Sequence, residues 1–334
     1  MNQLFLAIDG GQSATIAVIA TSDGTIVGVG RGGPIRNRRE SGAEGTAQSA
    51  VRSAVDEALR GVDGRAVVAA CLALTGSEEA AAQAVRELIP AADVFVLEND
   101  ALAALAAGRY GDGGIGLIAG TGTVAVATGR SGRFTRVGGL GWLLGDEGGA
   151  YWISVQAIRA AVRAVDGTGP ATALATALPV RLARPSMHDV ADAVTGQALD
   201  RVAIGRIAPH VVEAADAGDG VAAAIIDDAV GHLVQLVMSA AAAAPFLEPD
   251  ELIVVGSGGV LSSGGRVAVA LAARLARDIP EFTLLLPDVP PVIGALYLAY
   301  RRHRIAIDAP MRRRLRDEVR DLGIAQKDAS GAPA

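Results

Sequence analysis

The sequence predicts an α/β protein made of two similar halves with a ligand cleft between them. Two observations carry this expectation. Residues 4–30 read as strand, glycine loop, strand, turn and strand, and residues 114–137 repeat that order. A further glycine cluster, Gly256-Ser257-Gly258-Gly259, follows an apolar strand in an α/β stretch that completes the second half. The 334 residues suffice for two domains, each with its own core.

In the first half, residues 4–8 form an apolar strand closed by Asp9-Gly10-Gly11. A second strand follows at 15–20, then a turn at Ser22-Asp23-Gly24 and a third strand at 25–30, with glycine and aspartate where the chain reverses. Residues 43–60 carry apolar side chains at helical spacing. Residues 66–74 read as a buried strand, 78–88 as a helix, 93–97 as a short strand and 101–107 as a helix ended by Gly108. The second half opens with strands at 114–119, 123–128 and 133–137; Gly120-Thr121-Gly122 joins the first pair and a turn at 130–132 the second. Residues 151–244 are Ala-rich and mostly helical, and read as an insertion that enlarges this half. A strand at 252–255, a helix at 266–277, a strand at 282–286 and a helix at 291–302 finish it. The expected domains are therefore 1–112, 113–303 and, as a C-terminal helix with a frayed tail, 304–334.

Composition excludes several classes. Hydrophobic residues make up 51% of the chain, yet they occur in short runs broken by glycine, with no run of ~18 uncharged apolar residues. The start lacks a basic segment and a small-residue cleavage site, so a cytoplasmic location is expected. A single cysteine, Cys71, rules out an internal disulfide or a cysteine-ligated cluster within one chain. A net charge of −6 gives no footprint for nucleic acid, and nothing suggests a membrane partner. His188, His210, His232 and His303 show no metal-ligand spacing. Lys327 is the only lysine, so no phosphate loop ending in Gly-Lys-Ser/Thr can form. Any bound phosphate must then be held by backbone amides and hydroxyls, which the glycine loops supply by letting the main chain approach closely.

Five ordered motifs carry a resemblance. Asp9-Gly10-Gly11-Gln12-Ser13-Ala14-Thr15 resembles the first phosphate motif of the acetate-kinase/sugar-kinase/heat-shock-70/actin superfamily, and Gly120-Thr121-Gly122-Thr123 its second. Val254-Val255-Gly256-Ser257-Gly258-Gly259 resembles its adenosine motif. Together with Asn99-Asp100-Ala101 and the run from Gly138 to Gly148, they resemble the N-acetylglucosamine kinase branch of the BadF/BadG/BcrA/BcrD-type ATPase family over residues 4–300. The resemblance implies two ribonuclease-H-like lobes, use of ATP with Mg2+, a small-molecule sugar acceptor and often a homodimer.

It also implies roles for particular residues. Gly10, Gly11, Gln12, Ser13 and Thr15, then Gly120, Thr121, Gly122 and Thr123, would cradle phosphates, with Gly256, Ser257, Gly258 and Gly259 at the nucleoside. Asp9 reads either as a carboxylate associated with magnesium through water or as an Asp that closes its own turn. Asp100 reads as the general base for an acceptor hydroxyl, as the N-cap of the helix behind it, or as both. Asn37, Thr75, Gly139, Trp142 and Asp146 would meet the sugar. Asp146 and Glu147 can equally be first-turn acids that favour a helix dipole, and Trp142 can equally be a core residue. Arg36, Arg38 and Arg39 make the Asn37 loop basic, which suits a solvated face or an anionic acceptor. The expected activity is ATP-dependent phosphorylation of an amino sugar such as N-acetylglucosamine or glucosamine, at its 6-hydroxyl. The alternative is a non-catalytic or regulatory nucleotide-binding member of the same family. A third reading, an activator holding an iron–sulfur cluster between subunits, lacks the cysteines.

Overall fold

The computed structural model describes residues 3–11, 14–35, 45–75, 78–262 and 265–324. Contacts divide the chain into two units, one ending at Gly116 and resuming at Pro287, the other running Leu117–Leu286. Each unit is built on one five-stranded sheet.

In the first unit β1 (Leu4–Gly10), β2 (Thr15–Thr21) and β3 (Ile26–Gly32) form an antiparallel meander, while β4 (Val67–Leu74) and β5 (Asp93–Val96) lie parallel to β1 on its other side. The resulting order is β3-β2-β1-β4-β5. Both faces of β1 are covered. Leu4, Leu6 and Ile8 pack toward α1 (Thr46–Ala58) and α2 (Glu78–Leu88), while Phe5 and Ala7 join the opposite cluster. A strand buried on both faces reads as an unbroken apolar run, which is how Leu4–Ile8 appears in the sequence.

β3 carries glycine at 28, 30 and 32, alternate positions that share one face. α1 carries alanine at 50, 54 and 58, one per helical turn. Two strand residues rise ~6.6 Å and four helix residues ~6 Å, so the two ladders stay in step. A Cβ at Gly30 would overlap the Ala54 carbonyl oxygen and lie 2.6 Å from the Ala58 nitrogen; Gly28 and Gly32 face Ala58 and Ala50 in the same way. Since backbone atoms cannot rotate aside, Gly30→Ala is expected to destabilise the first unit by about 1–3 kcal/mol. Thermal denaturation would read this as a midpoint several degrees lower; an unchanged midpoint would contradict the ladder.

The structure differs from the expected domain limits at the helix Pro291–Arg302. That helix, α11, belongs with the first unit, where it packs on α3 (Ala101–Arg109), β1, β2 and β4. Its Val292, Ile293, Leu296, Tyr297 and Tyr300 complete the cluster around Phe5, and the Tyr300 hydroxyl donates to the Thr21 carbonyl at 2.6 Å. Gly294 makes the crossing possible, because a Cβ there would overlap the Ala103 carbonyl oxygen. The last described helix, α12 (Ala309–Asp321), closes the same core with Met311, Leu315 and Val319. A second correction concerns Gly108, which lies inside α3. The helix ends at Tyr110 in the left-handed region, with φ 57°, followed by Gly111 at φ 89°. The tail from Lys327 lies outside the described residues.

The second unit repeats the plan. β6 (Gly114–Ala119), β7 (Thr123–Thr128), β8 (Phe134–Gly138), β9 (Ile253–Ser257) and β10 (Thr283–Leu285) are ordered β10-β9-β6-β7-β8. Numbered by appearance within the unit, this is again 3-2-1-4-5. Between β8 and β9 the chain runs through α4 (Ala150–Val165), α5 (Leu174–Arg181), α6 (Met187–Thr195), α7 (Arg201–Gly205), α8 (Ala208–Asp216) and α9 (Gly220–Ala242), and α10 (Arg266–Asp278) precedes β10. By length and composition α9 could cross a membrane; here it packs on α4, α8, α10, β7 and β8.

Candidate active site

In the first unit, Asp9 and Gly10 end β1, Thr75 directly follows β4, and Asp100 sits four residues beyond β5. These three strands are parallel, so their C-terminal ends share one edge of the sheet, where ligands of open α/β sheets bind. Thr75 connects the parts. Its N–H donates to the Gly10 carbonyl at 2.9 Å, and its hydroxyl donates to Asp100 Oδ2 at 2.7 Å. Asp100 makes no side-chain cap to α3. Asn99 does that work instead, with its Oδ1 accepting from the Ala101 N–H at 2.9 Å. The sequence signal for a cap was sound but displaced by one residue, so the cap reading of Asp100 falls away. The first glycine turn is itself held by Gly11, whose N–H donates to Ala14 and whose carbonyl accepts from Ile35. Gln12, Ser13, Asn37 and the Arg36, Arg38 and Arg39 cluster lie outside the described residues.

The corresponding edge of the second unit holds Gly120, Thr121 and Gly122 between β6 and β7. The N–H groups of Ala150 and Tyr151, at the start of α4, donate to the carbonyls of Gly120 and Thr121 at 2.8 and 3.2 Å. With those carbonyls fixed, the Thr121 and Gly122 amides have no acceptor among the described residues. They are backbone donors of the kind an anion needs. Gly258, in an extended conformation with φ 102° and ψ 157°, backs onto this turn: a Cβ there would lie 2.6 Å from the Ala119 carbonyl carbon and 2.9 Å from the Gly120 nitrogen. The second phosphate motif and the adenosine motif are thus in direct contact. Gly256 and Ser257 complete β9, Ser257 being buried, and Gly259 opens a short turn behind it.

Thr15 and Thr123 occupy equivalent places, each the first residue of the second strand of its unit. Both are buried. The Thr15 hydroxyl donates to the Gly33 carbonyl at 2.9 Å and the Thr123 hydroxyl to the Glu147 carbonyl at 3.1 Å. Each single hydroxyl proton is committed within its own unit, so these side chains brace the glycine turns. The anchoring carbonyls of Gly33 and Glu147 leave no signature in the sequence.

Asp146 also belongs to the second turn. It adopts φ 65°, its Oδ1 accepts from the Thr123 N–H at 3.2 Å, and its carboxyl fills the space a Gly122 side chain would need. This is not a first-turn acid on α4, which starts four residues later behind Gly149. Burial pushes the Asp146 carboxyl above the ordinary range, while the Thr123 N–H and the positive Arg201 on α7 pull it back. A raised value means that ionisation costs the folded state more than the unfolded one. Asp146→Asn is therefore expected to melt higher than the parent at pH 7, with the gap closing as pH falls through the raised value. A lower melting point at pH 7 would contradict it.

Gly139, with φ 68°, donates its N–H to the Thr123 carbonyl at 3.0 Å and so stays beside the turn. Trp142 is 48% exposed, and its ring meets that of Tyr151 in a T-shaped pair with centres 5.6 Å apart. It is not a core residue. Leu140, Leu143 and Leu144 of the same loop are exposed with it.

A sheet of order 3-2-1-4-5 occurring twice, with glycine turns at matching strand ends, is the actin-like ATPase architecture. The chain belongs to the BadF/BadG/BcrA/BcrD ATPase family, which it matches over residues 6–299. ATP use follows from that membership. An N-acetyl-D-glucosamine kinase of Dictyostelium discoideum is 27% identical over 313 residues, covering 89% of this chain and 98% of the relative. An N-acetylmuramic acid/N-acetylglucosamine kinase of Clostridium acetobutylicum is 27% identical over 205 residues, 61% of this chain and 67% of the relative. Among solved structures, a ROK family glucokinase of Streptomyces griseus in complex with glucose and AMPPNP shares the fold, with a TM-score of 0.56 at 20% identity over 89% of this chain and 99% of that one.

Proposed function

We propose that the protein is an ATP-dependent kinase transferring the γ-phosphoryl group to a hydroxyl, the 6-hydroxyl, of an amino sugar such as N-acetylglucosamine or glucosamine. The observation that carries this reading is the Asp100 carboxylate, anchored by Thr75 at the sheet edge where the first glycine turn lies. The names of the two kinase relatives support the choice of acceptor.

Phosphoryl transfer asks for phosphates held in place, spread charge and a base at the acceptor. Backbone amides at Thr121 and Gly122 would supply the cradle, with Gly10 and Gly11 letting the first turn approach it closely. Gly256 to Gly259 would pack at the nucleoside, and Asp146, Gly139, Trp142 and Asn37 would bind the sugar. Asp100 accepts the acceptor's hydroxyl proton. The freed oxygen bonds to the γ-phosphorus as the bond from that phosphorus to the β–γ bridging oxygen breaks, leaving ADP. Magnesium fits the residues present: among the described residues no three acidic, His or Cys side chains gather to cage a metal, whereas a hydrated ion needs only a carboxylate such as Asp9 beside phosphate oxygens. Such an ion would neutralise charge developing on the phosphates. The reading includes a homodimer, which the family resemblance implies, and a cytoplasmic location.

The basic residues Arg36, Arg38 and Arg39 beside Asn37 favour a second acceptor class, an amino sugar bearing a carboxylate. ADP release followed across N-acetylglucosamine, glucosamine, N-acetylmuramic acid, glucose and no acceptor tests both. Turnover that depends on an amino sugar is expected. Turnover with none of the sugars would sink the kinase reading, and loss of the N-acetylmuramic acid arm alone would remove the anionic class.

A further inference from the structure

Thr75 stands at the junction of the first glycine turn and Asp100. Its two hydrogen bonds run to different partners, the backbone N–H to Gly10 and the hydroxyl to Asp100 Oδ2. A threonine hydroxyl has one proton, and here the carboxylate takes it. A sugar-contacting donor would have kept that proton for the ligand. Both strands that lead to the pair are tied into the sheet: Thr75 follows β4, buried along most of its length, and the Leu97 N–H fixes the chain after β5 to the Leu72 carbonyl. Asp100 itself lacks the helix-cap bond that would otherwise orient it.

We infer that Thr75 is a positioning residue for Asp100, holding one carboxylate oxygen and registering it to the first glycine turn. This rests on the kinase reading and goes beyond it, replacing the expected sugar contact at Thr75 with a role exerted through Asp100. Removing a hydrogen-bond donor from an ionised carboxylate disfavours its charged form. The other titratable groups on the adjoining elements include Asp9 on β1, Glu98 ahead of α3, Arg109 at the end of α3 and the buried Cys71 on β4; on α11, Arg301 is paired with Asp112, Arg302 with Asp93 of β5, and Tyr297 and Tyr300 lie in the core.

The test compares Thr75→Val, which keeps the shape and loses the hydroxyl, with Thr75→Ser, which keeps the hydroxyl. Thr75→Val is expected to lose ~10- to 100-fold in kcat with little change in the KM for ATP, the scale of a misplaced reacting group. Thr75→Ser should recover most of the loss. The 13C carboxyl resonance of Asp100 gives a readout independent of turnover: its titration midpoint should move up in Thr75→Val and stay near the parent in Thr75→Ser. An unmoved midpoint in Thr75→Val, or a serine variant as impaired as the valine one, overturns the inference. Absence of sugar turnover in the parent, with the midpoint shift intact, would instead remove the kinase reading and leave the Thr75–Asp100 pairing standing.

Discussion

Asp100→Asn is expected to lower kcat by on the order of 10²- to 10⁴-fold, the span a positioned general base contributes. The substitution is nearly isosteric, and the asparagine Oδ1 can still accept from the Thr75 hydroxyl, so the local geometry survives. Helix α3 loses nothing, since its first turn is capped by Asn99. Melting temperature and ATP affinity should therefore stay close to the parent, and the loss should fall on kcat and kcat/KM alike, the pattern of an interaction made in the transition state. Near-normal turnover would reduce Asp100 to a packing residue.

Gly258→Ala is expected to weaken nucleotide binding strongly. The φ and ψ of Gly258 lie in a region that only glycine visits freely, and forcing a side chain there costs about 1–3 kcal/mol. The methyl group would also overlap the Ala119 carbonyl oxygen at the end of β6 and crowd the Gly120 nitrogen, the first backbone atom of the second glycine turn. Relief requires the turn to move, which carries the Thr121 and Gly122 amides with it. A free-energy loss of that size is up to ~100-fold in Kd. Gly220→Ala is the matched control: it sits at the start of α9 with nothing within 4 Å of its Cβ position, and alanine suits a helix. If Gly258→Ala bound ATP as tightly as Gly220→Ala, the contact between the two motifs would have no functional weight.

The features legible in the sequence were the local ones. Glycine turns at 10–11 and 120–122 announce themselves because chain reversal and close approach depend on a few adjacent residues, and the strand runs of β1, β4, β6 and β9 because both faces are buried. Pro291–Arg302 was visible as a helix, but the sheet it covers depends on where its Tyr297 and Tyr300 find apolar partners, which sequence order does not state. The Thr75–Asp100 bond joins residues 25 apart, and the hydroxyls of Thr15 and Thr123 end on carbonyls that any residue could supply. Asp146 was visible as an acid after a glycine run; its burial on the second turn was not, because it follows from the left-handed conformation it adopts. The Gly28-Gly30-Gly32 and Ala50-Ala54-Ala58 ladders could have been found, since spacings of two and four on neighbouring elements match in rise.

The most direct measurement of the central claim is phosphorus NMR of the protein with ATP, magnesium and N-acetylglucosamine. The account predicts that the γ-phosphate signal is replaced by that of a sugar phosphomonoester, that ADP accumulates in step with it, and that Asp100→Asn halts both. Conversion of ATP to ADP and free phosphate at a rate indifferent to the sugar would contradict it.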